Sequence, residues 1–205
     1  MWIEQPPQWF RSLYPGVIFR LPKSDGSRRR VYITFDDGPI PEATPEVLDV
    51  LDNFGIKATF FMVGQNIERY PYLFEEVKKR GHLVANHSLH HIRGFGISPE
   101  TYLRDVEDCE KYLNTRIYRP PHGLLTPGQL KKLRKHYRVV MHDVVTRDYS
   151  KRITAEDLVK NVKRYTRDGS IIVFHDSLKS IDKLRTALPE CLSWLKSQGY
   201  EFSIL

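Results

Sequence analysis

Val31-Tyr32-Ile33-Thr34-Phe35-Asp36-Asp37-Gly38-Pro39 runs from an apolar, β-branched and aromatic stretch straight into two carboxylates and a Gly-Pro turn. The first five residues have the composition of a strand covered on both faces. Gly38 and Pro39 mark its exit. On an extended strand, Asp36 and Asp37 point to opposite sides. At a strand end breaking into Gly-Pro both can turn toward one pocket, because glycine frees the backbone and proline fixes the exit. Two adjacent carboxylates repel unless a cation sits between them or one is protonated. Taken alone, the stretch also reads as a solvated surface turn.

Similar runs recur at about 58–63, 83–86, 117–119, 139–145, 171–174 and 201–205, so with 31–35 there are seven candidate strands. Most are runs rather than clean alternations, as expected of parallel strands buried on both faces. Helical patterns lie between them, near 43–53, 66–80, 98–113, 126–136, 154–167 and 181–198. Ser98-Pro99-Glu100 offers an N-cap followed by proline, and Thr154-Ala155-Glu156-Asp157 a cap with an acidic first turn. Thr126-Pro127 and Thr44-Pro45 repeat the cap-then-proline signature, while Gly55, Gly81, Gly169 and Gly199 punctuate helix ends. The alternation predicts an α/β fold with right-handed crossovers. At 205 residues the chain is short for an eightfold barrel of about 250. The expectation is a distorted, incomplete (β/α) barrel of about seven parallel strands, one domain over residues 1–205. Residues 1–22, with Trp2, Trp9, Phe10, Tyr14 and Phe19, are expected to lie over that barrel. Lys23-Ser24-Asp25-Gly26-Ser27-Arg28-Arg29-Arg30 reads as a polar turn leading into the first core strand.

Several strand ends carry chemistry. His87-Ser88-Leu89-His90-His91 follows Leu83-Val84-Ala85, and His87 and His91 have the four-residue spacing that puts two imidazoles on one face of a helical turn. Such a pair is often structural. With a strand-end carboxylate it becomes a three-ligand set with an open position, the way catalytic zinc is held. His90 breaks the spacing and reads equally well as a spectator. Arg119-Pro120-Pro121-His122-Gly123, Thr146-Arg147-Asp148-Tyr149 and His175-Asp176 end three further runs. Singly they read as a proline-rich turn, a solvated loop charge and a capping aspartate. Their shared position is where the loops of an α/β barrel converge.

The net charge is +7 and the sequence pI about 9.4. Arg28-Arg29-Arg30 and Lys131-Lys132 are the basic clusters, dispersed among acids over predicted helix surfaces and a turn, so no nucleic-acid partner is expected. An anionic glycan or cell-envelope polymer suits the charge better. No 18-residue apolar run is present, so no membrane span is expected. The first residues lack a signal-peptide pattern, which favours a cytoplasmic location over an envelope-associated one. Cys109 and Cys191 read as free buried thiols.

Taken together, Thr34-Phe35-Asp36-Asp37-Gly38-Pro39, His87-Ser88-x-x-His91, Arg119-Pro120-Pro121-x-Gly123, Asp148 and the strand-ending His175 resemble the five motifs of the NodB-type polysaccharide deacetylases, carbohydrate esterase family four. The resemblance implies hydrolysis of an N-acetyl group from an N-acetylglucosamine-containing glycan or oligosaccharide by metal-activated water. It implies one divalent ion, zinc above cobalt or nickel, on Asp37, His87 and His91. It makes Asp36 the general base and His175 the catalytic acid, with Arg119 orienting the base side and Asp148 tuning His175. Pro121, His122, Gly123, Tyr149 and Val173 fall at positions expected to face the substrate. The chain departs from the family pattern at His122 (usually aromatic), Val145 (often Asp), Tyr149 (usually Trp) and Val173 (usually Leu). These departures touch the groove and leave the metal and acid–base residues intact. Deacylation of another acetylated carbohydrate, such as an O-acetyl xylan, and non-catalytic glycan binding stand as alternatives. The oligomeric state is open.

Overall fold

The computed structural model describes residues 4–23 and 28–205. Its strands are β1 (Arg29–Asp36), β2 (Thr59–Met62), β3 (Leu83–Asn86), β4 (Ile117–Tyr118), β5 (Arg138–Val139), β6 (Val144–Val145), β7 (Ser170–His175) and β8 (Tyr200–Phe202). They pair in the order β5-β4-β3-β2-β1-β7-β6, with β8 beside β1, and the pairings are parallel. The seven strands of this path form the curled, incomplete (β/α) barrel that the alternation predicts. The helices are α1 (Gln8–Ser12), α2 (Thr44–Phe54), α3 (Gly64–Arg69), α4 (Pro71–Lys79), α5 (Pro99–Cys109), α6 (Pro127–Leu133), α7 (Ala155–Tyr165) and α8 (Ile181–Ser197). No helix among the described residues is long and apolar enough to cross a membrane.

The central strand sorts its side chains into two cores. Val31, Ile33 and Phe35 join Leu48 and Leu51 of α2, Leu158 and Val162 of α7, and Leu184 and Leu188 of α8. Phe35 stacks between Phe60 and Phe174, at centroid distances of 5.0 and 5.6 Å. Tyr32 turns the other way, into the barrel, with Phe61, Ala85, Ile117, Val140 and Ile171. By the two-residue period, Thr34 and Asp36 share that inner face, one and two layers above Tyr32. Apolar residues therefore fill the amino end of the barrel, and polar ones open at its carboxyl end.

The 139–145 run divides into β5 and β6. Between them the chain crosses from one edge of the sheet to the other. Val140 N–H still donates to Tyr118 O (2.8 Å), Met141 N–H to Ile18 O (2.8 Å) and Asp143 N–H to Ile171 O (3.0 Å). The 66–80 pattern also divides, into α3 and α4, because Pro71 lacks an N–H and moves Tyr70 to φ −130°, ψ 56°. Ser98, Thr126 and Thr154 cap their helices as their patterns predict. Thr44 does not: α2 begins at Thr44 itself and its N-cap is Ala43.

The N-terminal segment fills the barrel's seam. Ile18 bridges Val140 in parallel and Arg20 bridges Ser170 antiparallel, so this segment lies between β5 and β7 and satisfies edges that water would otherwise contact. Phe10, Tyr14 and Phe19 pack with Tyr102, Tyr118 and Leu133, whereas Trp9 is 58% exposed. Arg11 donates to the fully buried Asp143 at 2.5 Å, and Asp143 also accepts from Arg167 and Ser170. Trp2 and residues 24–27 of the expected polar turn lie outside the described residues. Cys109 and Cys191 are free and buried.

Candidate active site

At the end of β1 the backbone itself reverses the strand's alternation. Asp37 has φ 84°, a left-handed conformation that costs a non-glycine residue about 1–2 kcal/mol. The sequence assigns this freedom to Gly38. The structure places the strain on Asp37, and Gly38 is needed for space: a Cβ there would stand 2.0 Å from Asp176 Oδ2. The turn is held by Gly38 N–H donating to Asp176 Oδ1 (3.1 Å), Thr44 Oγ1 donating to Asp176 Oδ2 (2.6 Å) and Asn66 Nδ2 donating to Asp37 O (2.8 Å). Asp176 is therefore a buried brace for the turn. Burial raises its carboxyl to about 8.

His87 and His91 follow β3 in a loop, not in the helical turn that their spacing suggests. Ser88 and His91 have φ 66° and 54°. The loop's backbone bonds run outward: Leu89 N–H donates to Asp105 O, Gln65 N–H to Leu89 O and Gly64 N–H to Ser88 O, each at 3.0 Å. Asp105 of α5 also accepts from His90 Nδ1–H at 2.5 Å. His90 thus fastens the loop and is not a spectator. The result brings the His87 and His91 rings to 5.0 Å. His87 Nε2 lies 3.8 Å, and His91 Nε2 3.2 Å, from Asp37 Oδ1.

These three residues form a metal-competent group, their donor atoms all within 4.8 Å of one another. Ligand atoms about 2.0–2.1 Å from a tetrahedral centre are roughly 3.3–3.5 Å apart, close to the observed spacing. The tautomer also fits. His87 Nδ1–H donates to Arg119 O at 2.9 Å, which leaves the Nε2 lone pair facing Asp37. Burial holds His87 neutral, lowering its pKa to about 4. Burial works against an ionised Asp37, but the hydrogen bond from His91 and the charge of His175 hold its carboxyl well below the usual range.

Asp36 keeps the inner face of β1 and is almost wholly buried. Arg119 reaches it from the end of β4. Its Nη1 donates to Asp36 Oδ1 (2.6 Å) and Thr34 Oγ1 (2.8 Å), and its Nη2 to Met141 O (3.1 Å). The guanidinium lies over the Phe61 ring at 3.9 Å. The reach of Arg119 to both Thr34 and Asp36 fixes the direction of the Asp36 carboxylate.

On the opposite side, His175 ends β7. Its N–H and its Nδ1–H donate to Asp148 Oδ2 and Oδ1, both at 2.7 Å. Burial alone would discharge the ring. The Asp148 carboxylate overrides it and raises His175 to about 9. The Tyr149 ring stands edge-on to His175 at 4.8 Å. Lys183 of α8 pins this loop through Asp148 O (2.6 Å) and Ser150 O (3.0 Å).

His122 stands on the other wall, its ring 4.7 Å from that of His91 and its backbone at φ 60°. Pro121 is buried beneath it in the short 3-10 turn Pro121–Gly123. Val173 is 2% exposed, one layer below His175 on the inner face, so it forms the floor rather than an open wall. His142 escaped the sequence reading. Its ring faces Gly123, with Cε1 3.7 Å from where a Cβ would be. Burial and the charge of Arg119 keep it neutral, with a pKa of about 4.

Residues 23–140 match the family model described as polysaccharide deacetylase. The chain is 34% identical over 194 residues to a peptidoglycan-N-acetylglucosamine deacetylase of Bacillus cereus, covering 91% of this chain and 89% of that protein. It is 33% identical over 192 residues to a chitooligosaccharide deacetylase of Bradyrhizobium sp., covering 84% and 87%. The crystal structure of the Bc1960 peptidoglycan N-acetylglucosamine deacetylase in complex with a naphthalenyl-N-oxidanyl-benzamide superposes with a TM-score of 0.87, at 29% identity over 97% of this chain and 94% of that one.

Proposed function

Since the chain belongs to the polysaccharide deacetylase family and is a glycan deacetylase by that membership, we propose that it removes N-acetyl groups from an N-acetylglucosamine-containing glycan or oligosaccharide with the help of one zinc ion. The observation that carries this reading is the flanking of the Asp37, His87 and His91 group by two side chains of opposite protonation. On one side is a carboxylate fixed by Arg119, and on the other an imidazolium fixed by Asp148. A fixed carboxylate and a fixed imidazolium on opposite sides of one centre are what general acid–base catalysis requires.

Asp37, His87 and His91 would hold the ion, which when bound supplies a Lewis acid for the acetyl carbonyl and an acidified water. Asp36 accepts the proton of the attacking water, and Arg119 keeps it aimed. His175 donates its Nε2 proton to the departing amine, since Asp148 occupies Nδ1. Buried Val173 and Phe61 keep bulk water from the floor of the site.

The test is acetate release from chitooligosaccharides, with acetylxylan beside them, using protein stripped by chelator and then reloaded with zinc. Asp36→Asn is expected to retain the metal and lose turnover, because an amide accepts no proton at neutral pH. Undiminished turnover in chelator-stripped protein, or an Asp36→Asn rate within about tenfold of the parent (roughly 1.4 kcal/mol), would overturn the reading.

A further inference from the structure

Beyond the reacting centre, the loop after β6 forms a depression of its own. Arg147, Tyr149, Ser150, Lys151 and Arg152 line a volume of about 420 Å³ that opens to solvent. Three of the five are cations and none is an acid. Tyr149 is its shared wall with the reacting centre, through the ring contact to His175.

The loop is a built platform. Lys183 binds two of its carbonyls, Ser150 N–H donates to Arg147 O (2.9 Å) and Ile153 N–H to Ser150 O (3.2 Å). Arg147 adopts φ 60° and is tied to Glu4 at 2.5 Å, while its Nε is buried with no hydrogen-bond partner among the described residues. Lys151 and Arg152 are exposed. Both lack a carboxylate within ion-pair distance among the described residues, although Arg28, Arg80 and Arg185 on the helical and terminal surfaces each have one. Across the site, Arg93 and Lys179 lie near His122. Cations thus flank the mouth on both sides, and like-signed charges around a concave site focus their field into it.

We propose that this depression is an anion-binding subsite, seating a carboxylate or phosphate carried by the glycan next to the sugar that loses its acetyl group. The inference rests on the deacetylase reading above and narrows it to anionic N-acetylated glycans. Lys151 and Arg152 supply the charge, the tied Arg147 supplies a fixed floor, and Tyr149 separates the anion from the reacting carbonyl. A neutral oligosaccharide occupies the reacting centre without this contact.

The experiment uses an N-acetylglucosamine tetrasaccharide and two derivatives of it, one bearing a carboxymethyl ether and one a phosphate. Binding by calorimetry and acetate release are measured for the zinc-loaded parent and for Lys151→Ala/Arg152→Ala. Two exposed ion pairs together amount to about fivefold in affinity. The parent is therefore expected to favour at least one derivative by about fivefold in Kd and kcat/KM, with the preferred arm identifying the anion. The double variant should lose that preference, and 0.5 M salt should erase it in the parent. Neutral-substrate turnover that stays within about twofold in the variant shows an intact fold. Equal Kd for all three sugars in the parent, or an equal loss on all three in the variant, overturns the subsite. If a derivative binds through Lys151 and Arg152 but no sugar releases acetate, the subsite stands and the deacetylase reading falls. The reverse pattern, equal acetate release with no preference, removes the subsite alone.

Discussion

Asp148→Asn isolates how the protein keeps an acid on the leaving-group side. In the parent, His175 sits at about 9 against an ordinary 6.5, a difference equivalent to about 3.4 kcal/mol in favour of the imidazolium. Asp148 reaches it with two oxygens: Oδ2 accepts the backbone N–H, and Oδ1 accepts the ring Nδ1–H and also Tyr149 N–H at 3.0 Å. Asparagine has one carbonyl for these donors. Either its NH₂ meets the His175 backbone N–H, or it meets Nδ1 and requires the neutral ring. With the carboxylate gone, burial acts unopposed by its first counterweight and pulls the ring below 6.5. At pH 7.5 the protonated fraction falls from nearly all to under about one tenth. A group that works as an acid gives activity below its pKa and loses it above. The alkaline limb of kcat against pH should therefore move toward acid by about two pH units or more, with kcat at pH 7.5 down at least tenfold. Imidazole C–H resonances followed by NMR in metal-free protein read the same titration directly. A limb and an NMR titration both within half a pH unit of the parent would refute the reasoning.

Two further outcomes follow from buried geometry. Gly38→Ala drives a methyl into the Asp176 carboxyl, so the turn that carries Asp37 must shift; overpacking of this kind costs about 1–3 kcal/mol. Zinc affinity, read by competition with a chromogenic chelator, is expected to fall at least tenfold, and parental affinity would sink the claim that this turn is full. His82, 6% exposed, accepts Ala58 N–H on Nδ1 at 3.1 Å, and burial lowers its pKa from 6.5 to about 4. The fold thus favours the neutral ring: its contribution is complete above pH 6.5 and is lost as pH falls from 6.5 through 4, up to about 3.4 kcal/mol. His82→Phe should be less stable at neutral pH, by about 1–3 kcal/mol for the unpaired Ala58 N–H. Between pH 7.5 and 4.5, urea melts should show the parent losing more stability than the variant; equal losses would count against His82 as a titrating group.

The strand runs and their carboxyl-end polar residues were legible because burial on both faces and βα alternation leave local marks. Asp36, Asp37, His87, His91, Arg119, Asp148 and His175 converge at one mouth for the same reason. What escaped were interactions that the local pattern cannot carry. The 139–145 stretch reads as one strand run, yet its pairing changes edges midway, where Met141 N–H donates to Ile18 O. Thr44 has the look of a cap, but its hydroxyl is bound to Asp176 across the molecule. His90 and His142 carry no sequence signal that separates a brace or a pocket wall from a surface histidine. The break at Tyr70-Pro71 was readable, and the 3.6-residue period on either side of it concealed the break. The two positive φ values at Ser88 and His91 explain why a helical spacing ended in a loop: metal-ligand geometry constrains ring positions, and more than one backbone path reaches them.

The strap at the seam also sets an order of assembly. Ile18 and Leu21 leave the ribosome well before the groups they bind, Val139 O, Met141 N–H and Gly169 O. Until those strands are made, the strap has no docking partner, and until it docks, β5 and the lower part of β7 present open hydrogen-bonding edges of the kind that recruit other chains. Docking of this segment therefore has to wait for strands made after it. A crowded cell would encounter this protein at its most adhesive in the interval between the emergence of β7 and the docking of Ile18 and Leu21.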